Sequence, residues 1–124
     1  MPLLRLQVAG ESMLPTLLPG DRVLAIVGLG PLRPAIRVGD LVALTDPRDP
    51  ERTMIKRVAG FDGGGVVVRG DNAEASTDSR HFGPVSRQTL KGRVVYRYHP
   101  ESRRGRLTPR ALRQWKLLVP RRRR

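Results

Sequence analysis

Three segments of this 124-residue chain hold residues whose type and spacing could do chemistry. They are Gly10-Glu11-Ser12-Met13-Leu14-Pro15-Thr16-Leu17, then Thr53-Met54-Ile55-Lys56-Arg57-Val58, then the polar stretch 70–83. Ser12 follows an alternating run and a glycine, and Pro15 breaks the chain just after it. A serine at such a strand-to-turn junction can present its hydroxyl and its own backbone N–H together, which is what acyl transfer needs: a nucleophile beside an oxyanion donor. Ser12 by itself also reads as a turn or cap serine. Lys56 is more informative. Only Lys56, Lys91 and Lys116 are lysines, and the other 21 cations are arginines. On a strand, Lys56 shares its face with Met54 and Val58, while Arg57 points the other way. Apolar flanks desolvate the ammonium and lower its pKa. Bringing a lysine from about 10.4 to near neutrality, where a general base works, costs about 4 kcal/mol and so requires real burial. Arginine stays protonated and cannot do this job. The plain alternative is a lysine snorkelling from an edge strand. In the third segment, Asp78 and Arg80 can pair, and a hydroxyl such as Ser76 can orient an amine. That stretch also reads as a solvated turn rich in side-chain-to-backbone hydrogen bonds.

The elements that must position these residues read as short strands between turns. Strands are expected at 3–8, 21–27, 40–44, 53–59, 66–69 and 92–98, with a turn at 46–50 and a hairpin tip at 62–65. Gly20-Asp21 and Gly39-Asp40, 19 residues apart, each open an apolar run, which suggests two neighbouring strands joined by the loop 28–37. Residues 70–83 read as irregular, and nothing before residue 105 has a helical period. Thirteen glycines and eleven prolines suit such a fold. Residues 109–118 could form a helix, with Thr108 as N-cap, Pro109 at its first position and Leu112, Trp115 and Leu118 on one side. The expectation is a mainly β domain over 1–98, of short antiparallel strands forming a coiled β domain, followed by a basic, partly helical, Arg-rich tail over 99–124.

Charge separates the same two parts. The net charge is +13, but the last 28 residues hold eleven cations and one anion. The tail therefore carries +10 and the rest +3, so the basic character belongs mostly to the tail. Such a tail could contact nucleic acid or an anionic membrane. Aromatic residues are only 4% of the chain, which leaves few stacking platforms, and no nucleic-acid-binding motif appears. A specific nucleic-acid module is not expected. A basic amphipathic segment over 105–124 could instead rest on a membrane surface. The absence of cysteine excludes a disulfide framework, a thiol nucleophile and a cysteine-ligated metal, and the two histidines, His81 and His99, read as loop residues. Met13 is expected to line the site or the core, and Trp115 to pack on the body or on lipid. The longest mostly apolar stretch, 23–32, is about half of the roughly 20 residues a bilayer span needs. Neither a signal peptide nor a transmembrane anchor is expected.

Taken together, the three segments resemble the boxes of the type I signal peptidase family, S26 serine proteases with a Ser–Lys dyad. Gly-Glu-Ser-Met-Leu-Pro-Thr-Leu resembles the nucleophile box and Ile-Lys-Arg-Val the base box. Gly-Asp-Asn, followed by Ser76, Asp78, Ser79, Arg80 and Phe82-Gly83, resembles the third. The resemblance covers about residues 3–98 and implies the signal peptidase and repressor-protease fold. It implies Ser12 as nucleophile, Lys56 as general base, Ser76 as the group that orients Lys56, and Asp78 with Arg80 as a structural ion pair. The Ser12 backbone N–H would be an oxyanion donor. Bacterial members often carry a second donor hydroxyl two residues before the nucleophile, but here that position is Gly10. The small size, with no anchor expected, resembles the branch that matures nickel-type superoxide dismutase. The substrate so implied is that enzyme's precursor, cut to release an N-terminal propeptide, in the cytoplasm or at the inner face of the membrane. The protease itself would need no metal or other cofactor. The alternatives are a general signal-peptidase-like protease at the membrane surface and, behind it, a basic nucleic-acid-binding module.

Overall fold

A computed structural model describes residues 2–28 and 35–109 of the chain. The strands are β1 (Leu3–Gln7), β2 (Arg22–Ile26), β3 (Leu41–Asp46), β4 (Asp49–Asp62), β5 (Gly65–Arg69), β6 (Leu90–His99) and β7 (Gly105–Arg106). One short helix, α1 (Ser79–Phe82), and single 3-10 turns at Ala73–Ala75, Arg87–Thr89 and Glu101–Arg103 complete the described elements. All strand pairs are antiparallel, in the order β1-β2-β6-β3-β4-β5, with β7 added to β6. The fold is thus mainly β, as the short apolar runs predict.

The two strands that open with Gly-Asp are not neighbours. β6 lies between β2 and β3 and pairs with both, through Val94 opposite Ala25 and Gly92 opposite Ala43. Local pattern identifies strands, but pairing between distant segments is settled by which faces must be covered. β4 is also longer than its apolar run, since it pairs beyond that run with β3 and β5. At α1, four residues are too few to show a helical period. The helix exists because Asp78 caps it, and His81 Nδ1 accepts the Asp78 backbone N–H at 3.3 Å in return. The expected helix over 109–118 falls outside the described residues from 110 onward.

β3 is covered on both sides. Leu41 and Ala43 enter one apolar cluster with Val8, Met13, Leu17, Val23, Ala25 and Val94. Val42 and Leu44 enter a second with Met54, Val58, Val66, Val68, Val85 and Leu90. Alternation along one strand therefore feeds two cores, and the coiled sheet wraps around it. The packed structure continues past residue 98. Leu107 packs on the first cluster and its N–H reaches the Val95 carbonyl at 2.8 Å.

Candidate active site

Lys56 sits in the middle of β4, opposite Val42 of β3. Its strand-face neighbours Met54 and Val58 belong to the second apolar cluster, and Lys56 is only 3% exposed. Burial pushes its amine down to about 8, against the opposing pull of Asp78. Arg52 and Arg48 add to the downward push. Lys56 Nζ donates to Ser76 Oγ at 3.0 Å, and Ser76 Oγ donates to Asp78 Oδ2 at 2.8 Å. The direction of these bonds matters. With its proton on Asp78, the Ser76 oxygen can only accept from the amine, and that leaves the nitrogen lone pair facing elsewhere.

Asp78 is fully buried. Burial by itself would raise its carboxyl, but hydrogen bonds from Arg80, the Gly70 backbone and Ser76 outweigh it and hold the group at about 2. Arg80 contributes its backbone N–H at 3.1 Å and its Nε at 3.0 Å, both to Asp78 Oδ1. Gly70 N–H reaches Asp78 Oδ2 at 2.9 Å. The third segment is thus a folded brace rather than a solvated loop. Gly70 is there for room: a Cβ at that position would lie 2.2 Å from Ser76 Oγ and 2.6 Å from the Ser12 carbonyl oxygen.

Ser12 lies on a turn pinned from both sides. Met13 and Leu17 sink into the first cluster, and the Ser12 carbonyl accepts the Asn72 N–H at 2.9 Å. Asn72 Nδ2 reaches the Glu11 carbonyl at 3.1 Å. Ser12 and Lys56 line the same two adjoining cavities. One, of about 110 Å³, runs along Gln7, Val8 and Ala9 against Thr53, Met54 and Ile55. The other, of about 180 Å³, is bounded by Gly10, Glu11, Arg48, Arg52, Ala75 and Thr77. The larger groove, about 440 Å³, lies elsewhere, between Asp40 and Leu41, β6 and Arg106 to Pro109. Gly10 has φ +78°, a backbone state that a side-chain donor at that position would strain. The structure brings Lys56, Ser76, Asp78 and Arg80 into one hydrogen-bonded chain and opens it onto the cleft that Ser12 faces.

The sequence alone assigns no role to three residues of this architecture, Arg57, Asp71 and Asp21. Arg57, next to Lys56 but on the opposite face, is 1% exposed. Its Nε and Nη2 each reach Asp71 at 2.8 Å, and its Nη1 reaches the Gly39 carbonyl at 2.7 Å. Asp71 also accepts from Thr16 Oγ1 at 2.5 Å. One carboxylate therefore ties the Ser12 segment to the Lys56 strand. The available signal was an arginine facing inward on a buried strand, which demands a carboxylate partner. Similarly, buried Asp21 accepts from Arg97 at 3.3 Å and from Arg103, and it caps the end of the Ser12 segment by accepting the Leu18 N–H at 2.9 Å. Among the described residues no group of three or more His, Cys, Asp or Glu could hold a metal ion, and no helix is long and apolar enough to cross a membrane.

The family model for signal peptidase, peptidase S26, matches residues 2–69 and 62–99. The chain is 40% identical over 116 residues to the mitochondrial ATP-independent inner membrane protease subunit 1a of Arabidopsis thaliana, across 75% of this chain and 68% of that protein. It is 33% identical over 114 residues to the mitochondrial inner membrane protease subunit 1 of Mus musculus, across 76% and 68%. With subunit 2 from Danio rerio it shares 32% over 126 residues, across 83% and 68%.

Proposed function

The chain belongs to the signal peptidase S26 family of peptidases, and on that premise we propose that it is a serine endopeptidase working through a Ser12–Lys56 dyad. The observation that supports this best is the amine of Lys56. It is buried, lowered to about 8, oriented by Ser76, and shares a cleft with a turn serine. In the acylation step, neutral Lys56 takes the Ser12 hydroxyl proton while Ser12 Oγ attacks the scissile carbonyl. The developing oxyanion meets the Ser12 backbone N–H. The Lys56 ammonium then passes its proton to the leaving amine, and the new chain start departs. A water enters, Lys56 takes one of its protons as the oxygen attacks the ester carbonyl, and Lys56 then returns that proton to Ser12 Oγ as the acyl–oxygen bond breaks and the acid product leaves. Ser76 keeps the amine aimed through both halves, and Arg80 keeps Asp78 ionised so that Ser76 stays an acceptor.

The substrate class this reading favours is a precursor protein that loses an N-terminal segment. The finer reading, from the sequence resemblance, is the precursor of nickel superoxide dismutase, processed in the cytoplasm. The names of the relatives, inner membrane proteases, favour a second reading of where the enzyme works: at a membrane face, with the basic residues of 105–124 against anionic headgroups. Ser12→Ala and Lys56→Arg should each abolish precursor cleavage while the thermal unfolding midpoint stays close to that of the parent. Near-parental cleavage by Lys56→Arg would overturn the dyad. A nickel superoxide dismutase precursor left intact by an enzyme that cleaves other peptides would remove the finer substrate reading alone.

A further inference from the structure

Arg48 and Arg52 line the same cleft as Ser12 and Lys56, and beyond helping to hold the Lys56 amine down neither has a part in the steps just described. They share one counter-ion. Asp46 is 2% exposed and holds Arg48 by two bonds, from Nε at 3.1 Å and from Nη2 at 2.9 Å. Arg48 also lies over the Phe82 ring at 5.8 Å, so its position is fixed. Arg52 comes no closer to Asp46 than 3.9 Å, makes no hydrogen bond among the described residues, and its side chain is 64% exposed. One carboxylate behind two guanidiniums leaves Arg52 with open donors at the cleft wall. Among the described residues, Glu11, on the Ser12 turn, is the one carboxylate in the lining of this cavity, against Arg48, Arg52 and Lys56.

The strand period places Arg52 on the face of β4 that carries Met54 and Lys56. Arg52 is four residues from Lys56, about 13 Å along the strand. An extended peptide advances at the same rate, so a substrate with its scissile carbonyl at Ser12 puts a side chain within about three residues of the cut in reach of the guanidinium. Resting on the dyad reading, we propose that Arg52, set beside the fixed Arg48, forms a subsite for an acidic substrate side chain flanking the scissile bond. A carboxylate there gains a charge-assisted pair with a donor that is otherwise unused. A lysine at that substrate position meets two positive groups instead, so the subsite also rejects.

The test is a fluorogenic alanine-based peptide set that places Asp, Asn or Lys singly at each of the three positions on either side of the cut. At one position the parent enzyme should cleave the Asp peptide with kcat/KM about five- to tenfold above its Asn counterpart, the range expected for a partly exposed ion pair with hydrogen bonds. That ratio should shrink at high salt. Arg52→Lys should keep a reduced preference, and Arg52→Glu should invert it so that Lys is favoured over Asp. Cleavage indifferent to charge at every position, or an Asp preference that survives Arg52→Glu, would overturn the subsite and leave the dyad standing. Failure to cleave any member of the set would sink both.

Discussion

On the dyad reading, Lys56 must lose its third proton to act, and burial brings that loss closer to neutral pH. With the amine at about 8, the basic form is the minority at neutral pH and becomes dominant above. The sign follows: kcat/KM should climb about tenfold per pH unit on the acid side, bend near pH 8 and level off above it. A flat profile between pH 6 and 9 (about three units in which the amine changes charge) would contradict a lysine base. Serine, lysine and the third-segment hydroxyl were visible in the sequence as residue types at suggestive spacing. The apolar flanks of Lys56 at positions 54 and 58 foretold its desolvation, because strand alternation is a local rule. Arg57 and Asp71 went unassigned for the opposite reason. Their pairing joins residues 14 apart whose meeting depends on how β4, β5 and the following turn fold back.

At the scale of elements, the site is a joint between three pieces of chain. The Ser12 turn, the middle of β4 and the segment after β5 meet around Gly70, which has no space for a methyl group beside Ser76 and the Ser12 carbonyl. Gly70→Ala should push the Ser76 hydroxyl off Lys56. A misplacement of about 1 Å can cost about a hundredfold in rate, so kcat should fall by that order. KM should change far less, since the cleft walls at Ala9, Arg52 and Met54 are untouched. A parental kcat in a folded Gly70→Ala enzyme would show that the Ser76–Lys56 contact is dispensable. The strands themselves were legible from their apolar runs, and so was the β4–β5 hairpin from Asp62-Gly63-Gly64-Gly65. The insertion of β6 between β2 and β3 was not, because it is the covering of β3 on both faces that selects this order over the one suggested by adjacency in sequence.

Across the whole molecule, the first part of the basic end is built into the body. Arg97, Arg103, β7 and Leu107 belong to the body: they close over Asp21 and the first apolar cluster, beneath the segment that carries Ser12. Residues 110–124 hold seven cations and no anion. Ending the chain after His99 should cost about 2–5 kcal/mol, because buried Asp21 loses Arg103 and Leu107 no longer packs. Ending it after Pro109 removes those seven cations and should weaken binding to liposomes containing phosphatidylserine. Unchanged liposome binding by the shorter chain would remove the membrane-face reading. By itself the sequence determined the β character, the apolar flanking of Lys56 and the concentration of positive charge toward the C-terminal end. Those are matters of local alternation and composition. Only the tertiary structure decided the strand order, the Arg57–Asp71 tie, the seat of Arg52 at the cleft and the packing of residues 100–107. Each depends on contacts between distant segments, which one-dimensional pattern does not encode.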